Sequence, residues 1–466
     1  MYKNNFALAA VALLAGCSLI PTYERPAAPV PAHFAGVNDA KASALPGWRE
    51  YYADPALQTL IETALANNRD LRIGLASVEE ARGLAGVARS ERFPTVNSQI
   101  SRTATRTPSD VIGFSQARTI IRRNEISVGI PSFELDFWGR VAALNEAALA
   151  QYLASEEAAK SFQISLVGDV ANTWFQLQEL VERERLANAT LSNRAESLEL
   201  IRKRRDAGLA TDLEALTVES LTESTRAQGA ELHRQRLQTE NALNLLTGSA
   251  TQLPPVGDVS KQAALAELAP GLPSEVLLRR PDVRAAEQRL IAANANIGAV
   301  RATFFPRISL TANFGTASSD LSGLFGSGSQ AWLFQPVLSL PIFNAGRAQA
   351  NLDVAQARKV AAVADYEKTI QQAFREVADA LAARATYTDQ LTALENNLRS
   401  QQDRQKQVNA RAAAGIATYL EVLDANREAF SAEQNVVTIR RQMLSTAVVL
   451  YKALGGGEEG GAGGGE

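Results

Sequence analysis

The chain repeats itself, and that repeat limits what it can fold into more than any single residue does. Asp70-Leu-Arg72 returns as Asp282-Val-Arg284, Gly86-Val-Ala-Arg89 as Gly298-Ala-Val-Arg301 and Phe93-Pro94 as Phe305-Pro306, each 212 positions later. Gly139-Arg140 returns as Gly346-Arg347, Ala207-Gly-Leu-Ala-Thr-Asp-Leu-Glu214 as Ala414-Gly-Ile-Ala-Thr-Tyr-Leu-Glu421, and Gly248 as Gly455, each 207 positions later. The matches keep their order over most of the chain, which marks a duplicated structural unit. The offset changes by five, so the length difference falls between Pro94 and Gly139.

Each copy predicts the same succession of elements. A helix comes first (55–91 and 273–303) and ends at Phe-Pro, because the residue before proline avoids the helical region. An alternating strand follows (94–105 and 306–317), then a connection rich in Gly, Ser and Arg, then a second strand (125–136 and 331–342). A very long helix (141–206 and 347–413) leads through a tight turn at Gly208 or Gly415 into a last helix (212–247 and 419–453).

The strands are patterned on two faces. Ile308, Leu310, Ala312 and Phe314 oppose Ser309, Thr311, Asn313 and Gly315; Ile126, Val128 and Ile130 oppose Ser127 and Gly129. In a soluble sandwich the apolar face turns to the core; in a transmembrane barrel it turns to lipid. The strands are long for a soluble domain and suit a tilted membrane strand. Trp138 and Trp332 stand near strand ends, where either an interfacial belt or ordinary packing puts them. Four strands cannot close a barrel, and an open edge in lipid leaves its amides without partners. If these strands span a membrane, several chains contribute, and three chains supply twelve strands with room for a lumen.

The helices are the second anomaly. Residues 141–206 would extend about 100 Å at ~1.5 Å per residue. Apolar residues recur at Ile370, Phe374, Val377 and Leu381, and at Leu391, Leu394 and Leu398; Leu423, Phe430, Val437, Leu444 and Tyr451 fall seven apart. This is coiled-coil-like spacing. Polar Gln, Asn, Glu and Arg fill the positions between, so the helices form either a bundle or a tube packed around water.

Composition excludes several functions. The formal charge is −3, which disfavours a basic nucleic-acid binder. One Cys rules out a disulfide framework and a Cys-rich zinc site, and His33 and His233 stand too far apart for a local metal cluster. No phosphate loop, nucleophile motif or metal spacing supports an enzyme. The single Cys has its own explanation at the N-terminus. Lys3 precedes the apolar run Phe6–Leu14, far short of the ~20 residues a spanning helix needs. Leu14-Ala15-Gly16-Cys17 then resembles a lipobox, in which Cys17 is diacylated, the peptide is cut before it and the new amine is acylated. The alternative is an ordinary signal peptide with a chance Cys. Ser18 rather than Asp after that Cys implies sorting to the outer membrane. Pro21, Pro26, Pro29 and Pro31 predict an extended leader.

The sequence resembles the TolC-like outer membrane factor family, most closely its OprM-like (NodT-type) lipoprotein branch of drug-efflux systems. The resemblance lies in Gly47-Trp-Arg-Glu-Tyr-Tyr-Ala-Asp-Pro55, Asn68-Arg-Asp-Leu-Arg72, Glu134-Leu-Asp-Phe-Trp-Gly-Arg140, Gly271-Leu-Pro-Ser-Glu-Val-Leu-Leu-Arg-Arg-Pro-Asp282, Phe304-Phe-Pro-Arg-Ile-Ser-Leu310 and Tyr451-Lys-Ala-Leu-Gly-Gly-Gly457. It implies a helix-dominated membrane protein: a homotrimer whose twelve-stranded β-barrel in the outer membrane continues into a twelve-helix α-barrel in the periplasm, with two structural repeats per chain. It also implies docking with a periplasmic adaptor and an inner-membrane pump of the resistance-nodulation-division type. No cofactor is expected beyond the diacylglycerol and N-acyl lipid on Cys17. The chain then divides into a signal peptide (1–16), a lipidated extended segment (17–54), a first repeat (55–248), an equatorial linker (249–272), a second repeat (273–455) and a disordered Gly/Glu tail (456–466).

Under this resemblance the two turns are periplasmic tips. Gly208 and Leu209, with Gly415 and Ile416, are the expected adaptor contacts. The family's acidic aperture ring maps to Glu421 and Asp424, and in the first copy to Glu214. Glu214 and Glu421 have a competing explanation, since Thr211-Asp-Leu-Glu214 and Thr418-Tyr-Leu-Glu421 fit the capping box. Asp424 caps nothing and is the better selectivity candidate; its replacement by Ala is expected to raise conductance and weaken cation blockage. Some members lock the tip with a Tyr before the turn Gly and a basic residue after it. Here those positions are Ala412 and Ala417, so closure is expected from other contacts, such as Arg411 with a neighbouring acid. Arg118, Arg122 and Arg123 are expected in the first inter-strand loop and Gly323–Ser329 in the second, both facing outside the cell. The basic cluster is either a solvated loop or a contact with lipopolysaccharide.

The function expected is an outer membrane exit duct that passively conducts drugs away from the adaptor and pump. One alternative is a duct of the same build serving type I protein secretion; another, of a different class, is a periplasmic scaffold lipoprotein.

Overall fold

The computed structural model describes residues 18–31, 33–34, 45–106, 120–249, 253–257, 259, 265 and 274–456. Cys17 and the segment before it, Arg118, most of 249–272 and the tail from 457 onward lie outside the described residues.

After a short helix α1 (Trp48–Tyr51), the first copy opens with two helices where one is expected. In α2 (Pro55–Asn67) Asp54 is the N-cap, accepting from the Ala56 N–H at 2.9 Å, and Pro55 sits in the first turn where no donor is missed. Asn68 then leaves helical geometry at ψ 130°. Its Oδ1 accepts from the Leu71 N–H at 2.8 Å and its Nδ2 donates to the Leu246 carbonyl at 2.8 Å. One side chain thus ends α2 and caps α3 (Arg69–Ser90). The second copy breaks for another reason. A 3₁₀ turn at Ser274–Arg279 precedes its helix, which cannot be continuous through Pro281 because proline has no N–H and disturbs the residue before it.

The long helices follow closely the spans expected of them. They are α4 (Arg140–Asp206) and α5 (Asp212–Thr247) in the first copy. After α6 (Pro281–Ala302), the second copy supplies α7 (Arg347–Ala413) and α8 (Tyr419–Ala453). Both α4 and α7 run 67 residues. Of the heptad positions in α8, Leu423, Phe430, Val437 and Tyr451 are buried and Leu444 is half-buried. No helix among the described residues is long and apolar enough to cross a membrane.

The strands β1 (Asn97–Arg106), β2 (Ile120–Leu135), β3 (Arg307–Ser318) and β4 (Gln330–Ser339) form one antiparallel sheet in chain order. Directly opposed residues share a face. Rungs of Trp332, Phe314 and Val128, of Phe334, Ala312 and Ile130, of Pro336, Leu310 and Phe133, and of Leu338, Ile308 and Leu135 make one face apolar. In β2 these residues are not evenly spaced: three positions, not two, separate Ile130 from Phe133. The register shifts at that point, so the extra residue is taken up in a bulge and Phe133 and Leu135 return to the apolar face. Pro131 lies in the bulge, where its missing N–H breaks no ladder bond, and its carbonyl accepts from Thr311 Oγ1 at 2.9 Å. The chain leaves this face uncovered: Phe314 is 64% exposed and Trp332 75%. Of the two tryptophans near strand ends, Trp332 therefore stands free, whereas Trp138 is packed, stacked on Phe305 and donating to the Pro306 carbonyl at 2.8 Å.

One expectation fails here. Arg122 and Arg123 are not in the inter-strand loop but inside β2, opposite Ala104 and Thr103 of β1. The β-branched pair Ile120-Ile121 starts the strand earlier than the alternation alone indicates.

The chain forms two compact units, each taking stretches from both copies. One holds the segment through Ala27, Ser77–Glu156 and Ala285–Tyr366; the other holds Ala28–Ala76, Glu157–Arg284 and Glu367–Glu466. In the first, the sheet accompanies a close packing of α4 on α6 through Ala147, Ala150, Ala292 and Ala295. The extended leader lies along α6. Ile20 sits where a side chain on Gly298 would be, with its Cα 2.8 Å from that Cβ position; Asn294 Nδ2 donates to the Pro21 carbonyl at 2.7 Å, and Arg25 forks onto Glu287 at 2.7 and 2.9 Å. The second unit is helical. Its core stacks Tyr51 on Tyr451 with ring centroids 4.2 Å apart, and it buries Trp174, whose Nε1 donates to Asp54 Oδ2 at 2.9 Å. Arg280, also buried, forks onto Asp282 and reaches Glu376 and the Ala453 carbonyl.

Candidate functional site

The two helical turns are built by the same chemistry. At the end of α4, Gly208 has φ +73°; its N–H bonds the Arg205 carbonyl at 2.8 Å, and the Leu209 N–H bonds the Arg204 carbonyl at 2.7 Å. At the end of α7, Gly415 has φ +73°; its N–H bonds the Ala412 carbonyl at 3.0 Å, and the Ile416 N–H bonds the Arg411 carbonyl at 2.8 Å. This paired closure is a Schellman cap, and the left-handed position takes Gly because a Cβ there is strained. Below the first turn, Ala210 packs against the cluster of Leu198, Ile201, Ala215, Val218 and Leu423. Leu209 and Ile416 stay outside it, 70% and 68% exposed.

Both capping boxes are formed. Thr211 Oγ1 accepts from the Glu214 N–H at 3.3 Å while Glu214 Oε2 accepts from the Thr211 N–H at 2.8 Å; for Thr418 and Glu421 the distances are 3.3 and 2.7 Å. The backbone N–H bond from Thr211 or Thr418 holds each glutamate below the usual carboxylate range. Glu214 and Glu421 are thus structural caps in this chain, whatever else they do.

Asp424 has different partners. Its Oδ2 accepts from Arg404 Nη2 at 2.5 Å and its Oδ1 from Arg427 Nη2 at 2.7 Å. The Arg404 bond, with the two nearby positive charges, keeps the carboxyl below its ordinary value. Asp424 and Arg427 are i,i+3 neighbours on α8, a pairing visible in the sequence. Arg404 stands on α7, and only the folded hairpin brings it across. Sequence reasoning missed both arginines. Arg411 forms no ion pair among the described residues, and its charge acts on Glu421 at a distance. Asp424, Arg404 and Arg427 line one cleft with Leu420 and, from α5, Leu216 and Thr217. Among the described residues no cluster of three or more His, Cys, Asp or Glu side chains is placed to hold a metal ion.

The sequence pattern of the family described as Outer membrane efflux protein matches residues 60–249 and 272–456. The chain is 46% identical to the solvent efflux pump outer membrane protein SrpC of Pseudomonas putida, over 98% of this chain and 99% of that one. It is 43% identical to the outer membrane protein OprJ of Pseudomonas aeruginosa, over 98% and 97%. Among solved structures it resembles CusC (TM-score 0.85, 41% identity, 95% of this chain and 100% of that one). It also resembles the open state of the Neisseria gonorrhoeae MtrE outer membrane channel (TM-score 0.85, 36% identity, 95% and 98%). Profile, relatives and structures cover both copies with the sheet and hairpins between them, and the chain belongs to the outer membrane efflux protein family, as an outer membrane exit duct.

Proposed function

We propose that the protein acts as a homotrimer, four strands from each chain closing a twelve-stranded barrel in the outer membrane and the long hairpins forming a twelve-helix tube in the periplasm. The observation that carries this reading is the sheet: one face is apolar and exposed, and among the described residues β1 and β4 each pair on one side only. Such edges need partners in lipid, and copies of the same chain supply them. The two repeats are then the structural units of the wall, and the lipid on Cys17 anchors the leader to the same membrane.

The duct conducts small molecules passively and catalyses nothing. It receives them from a periplasmic adaptor and an inner-membrane pump of the resistance-nodulation-division type, with Gly208, Leu209, Gly415 and Ile416 as the adaptor contacts. Relatives are named for toluene, solvent and antibiotic efflux, which supports apolar drugs and solvents as cargo. At the tip, three copies of Asp424 set the aperture. Each is clamped by Arg404 and Arg427, so the ring is ion-paired and not bare, and the clamp replaces the Tyr and basic lock absent at Ala412 and Ala417. The test is planar-bilayer recording on material cross-linked to establish its copy number. Trimers with discrete single-channel currents are expected; monomers without current would overturn the reading.

A further inference from the structure

We propose that Arg102, Arg106 and Arg122 form a binding site for the phosphate groups of lipopolysaccharide on the lipid-facing side of the sheet. The inference rests on the barrel reading above and adds a ligand to it. In the β1–β2 register Arg102 opposes Asn124, Ala104 opposes Arg122 and Arg106 opposes Ile120. The same register places Ile100 against Ile126 and Ser98 against Val128, and Val128 opposes Phe314. The three arginines therefore share a face with Val128, Phe314 and Trp332 and continue it beyond the last apolar rungs. Arg122 is diagonal to both Arg102 and Arg106, about 7 Å away across the strands.

All three are exposed, and none forms an ion pair among the described residues. Arg123, one position on and so on the opposite, polar face, is paired with Glu125 at 2.9 Å. The chain thus neutralises the arginine facing the lumen and leaves three facing outward. At the edge of an apolar band, unpaired guanidinium groups are costly unless an anion meets them, and their planar fork matches phosphate oxygens two at a time. The position selects the leaflet. Helices α3 and α4 join the sheet at its Asn97 and Leu135 ends, whereas the arginines stand at the other end, toward the β1–β2 connection. With the helices in the periplasm, that end lies in the outer leaflet, where the lipid carries phosphates. Continuity with the apolar rungs favours a lipid over a free anion, because acyl chains can lie on Val128 and Phe314 while the headgroup meets the arginines.

The experiment compares the detergent-purified trimer with R102Q/R106Q/R122Q and with R123Q. Binding of bis-phosphorylated lipid A, of its dephosphorylated form and of inorganic phosphate is measured by native mass spectrometry, alongside bilayer currents. The expected result is a loss of about a hundredfold in lipid A affinity for the triple variant, at roughly fivefold per arginine. R123Q should bind as the parent does, the dephosphorylated lipid poorly, and millimolar phosphate should not compete. Wild-type binding by a triple variant that still conducts overturns the lipid site and leaves the duct intact; equal competition by phosphate makes it a free-anion site. Absence of current and of trimer in the parent overturns the duct reading, and the lipid site with it.

Discussion

The two hairpin tips share a backbone and differ in charge. Both close with Gly at φ +73° and both restart with a Thr–Glu capping box. Yet Arg404, Asp424 and Arg427 of the second tip correspond, 207 positions earlier, to Ser197, Thr217 and Ser220 of the first. The contrast extends to packing: Leu423 is 7% exposed, while its counterpart Leu216 is 62% exposed. The turn chemistry is common to both because any hairpin of helices must satisfy its end groups. This clamp is present once; the first tip is bridged instead by Arg202 and Glu219 at 3.1 Å, so the proposed trimer carries two kinds of tip in alternation. The tube can then be six-fold in its backbone but only three-fold in its electrostatics.

The largest expected effect tests that asymmetry. Asp424→Ala removes the anion that ties Arg404 of α7 to Arg427 of α8, leaving Arg427 to Glu428 alone, so single-channel conductance should rise severalfold and cation blockage should weaken. Ser197→Ala, at the place in the first copy that matches Arg404, should leave both unchanged. Equal effects in bilayer recordings would dissolve the distinction between the tips.

The next effect should be symmetric. Gly208→Ala and Gly415→Ala each force a Cβ into the left-handed region, at a cost of about 1–2 kcal/mol. Hydrogen exchange at Leu209 and Ile416 should rise by the same factor in both variants. Thr211→Ala and Thr418→Ala come third, at about 1 kcal/mol each, read as faster exchange in the first turns of α5 and α8. A tenfold difference between the two tips would mean that only one box supports its helix.

The smallest effect is that of mild pH change. Glu214, Glu421 and Asp424 all titrate below their ordinary values in the folded chain. Their contributions are therefore complete above the unfolded carboxylate range, about 4, and are lost only as pH falls through the lower folded values. Conductance between pH 5 and pH 8 should stay flat, and opening should begin below about 4. A transition near pH 6 would point to another titrating group.

Much of the fold was legible in the residues. The ends of α4, α5, α7 and α8 lie within about a residue of their expected positions, because Gly208, Gly415, Thr211 and Thr418 mark them with local signals. The starts of the two repeats were less legible. Asn68 does two jobs at once, one of them a bond to Leu246 that lies far off in the chain. The Ile130–Phe133 spacing reads as a defect in alternation until the neighbouring strand shows the bulge that corrects it. Placing Arg122 and Arg123 in a loop followed from composition, which carries no register.

By itself, the sequence determined the succession of elements and the caps that end them. These depend on residues a few positions apart, where the geometry of one turn or one strand already decides the outcome. Only the tertiary structure decided that Asp424 is held by Arg404 from the neighbouring helix, that Trp138 is packed while Trp332 is free, and that Arg122 and Arg123 look to opposite sides of the sheet. Each of those depends on which distant segment lies alongside and in what register, and a shift of one residue reverses a strand's faces.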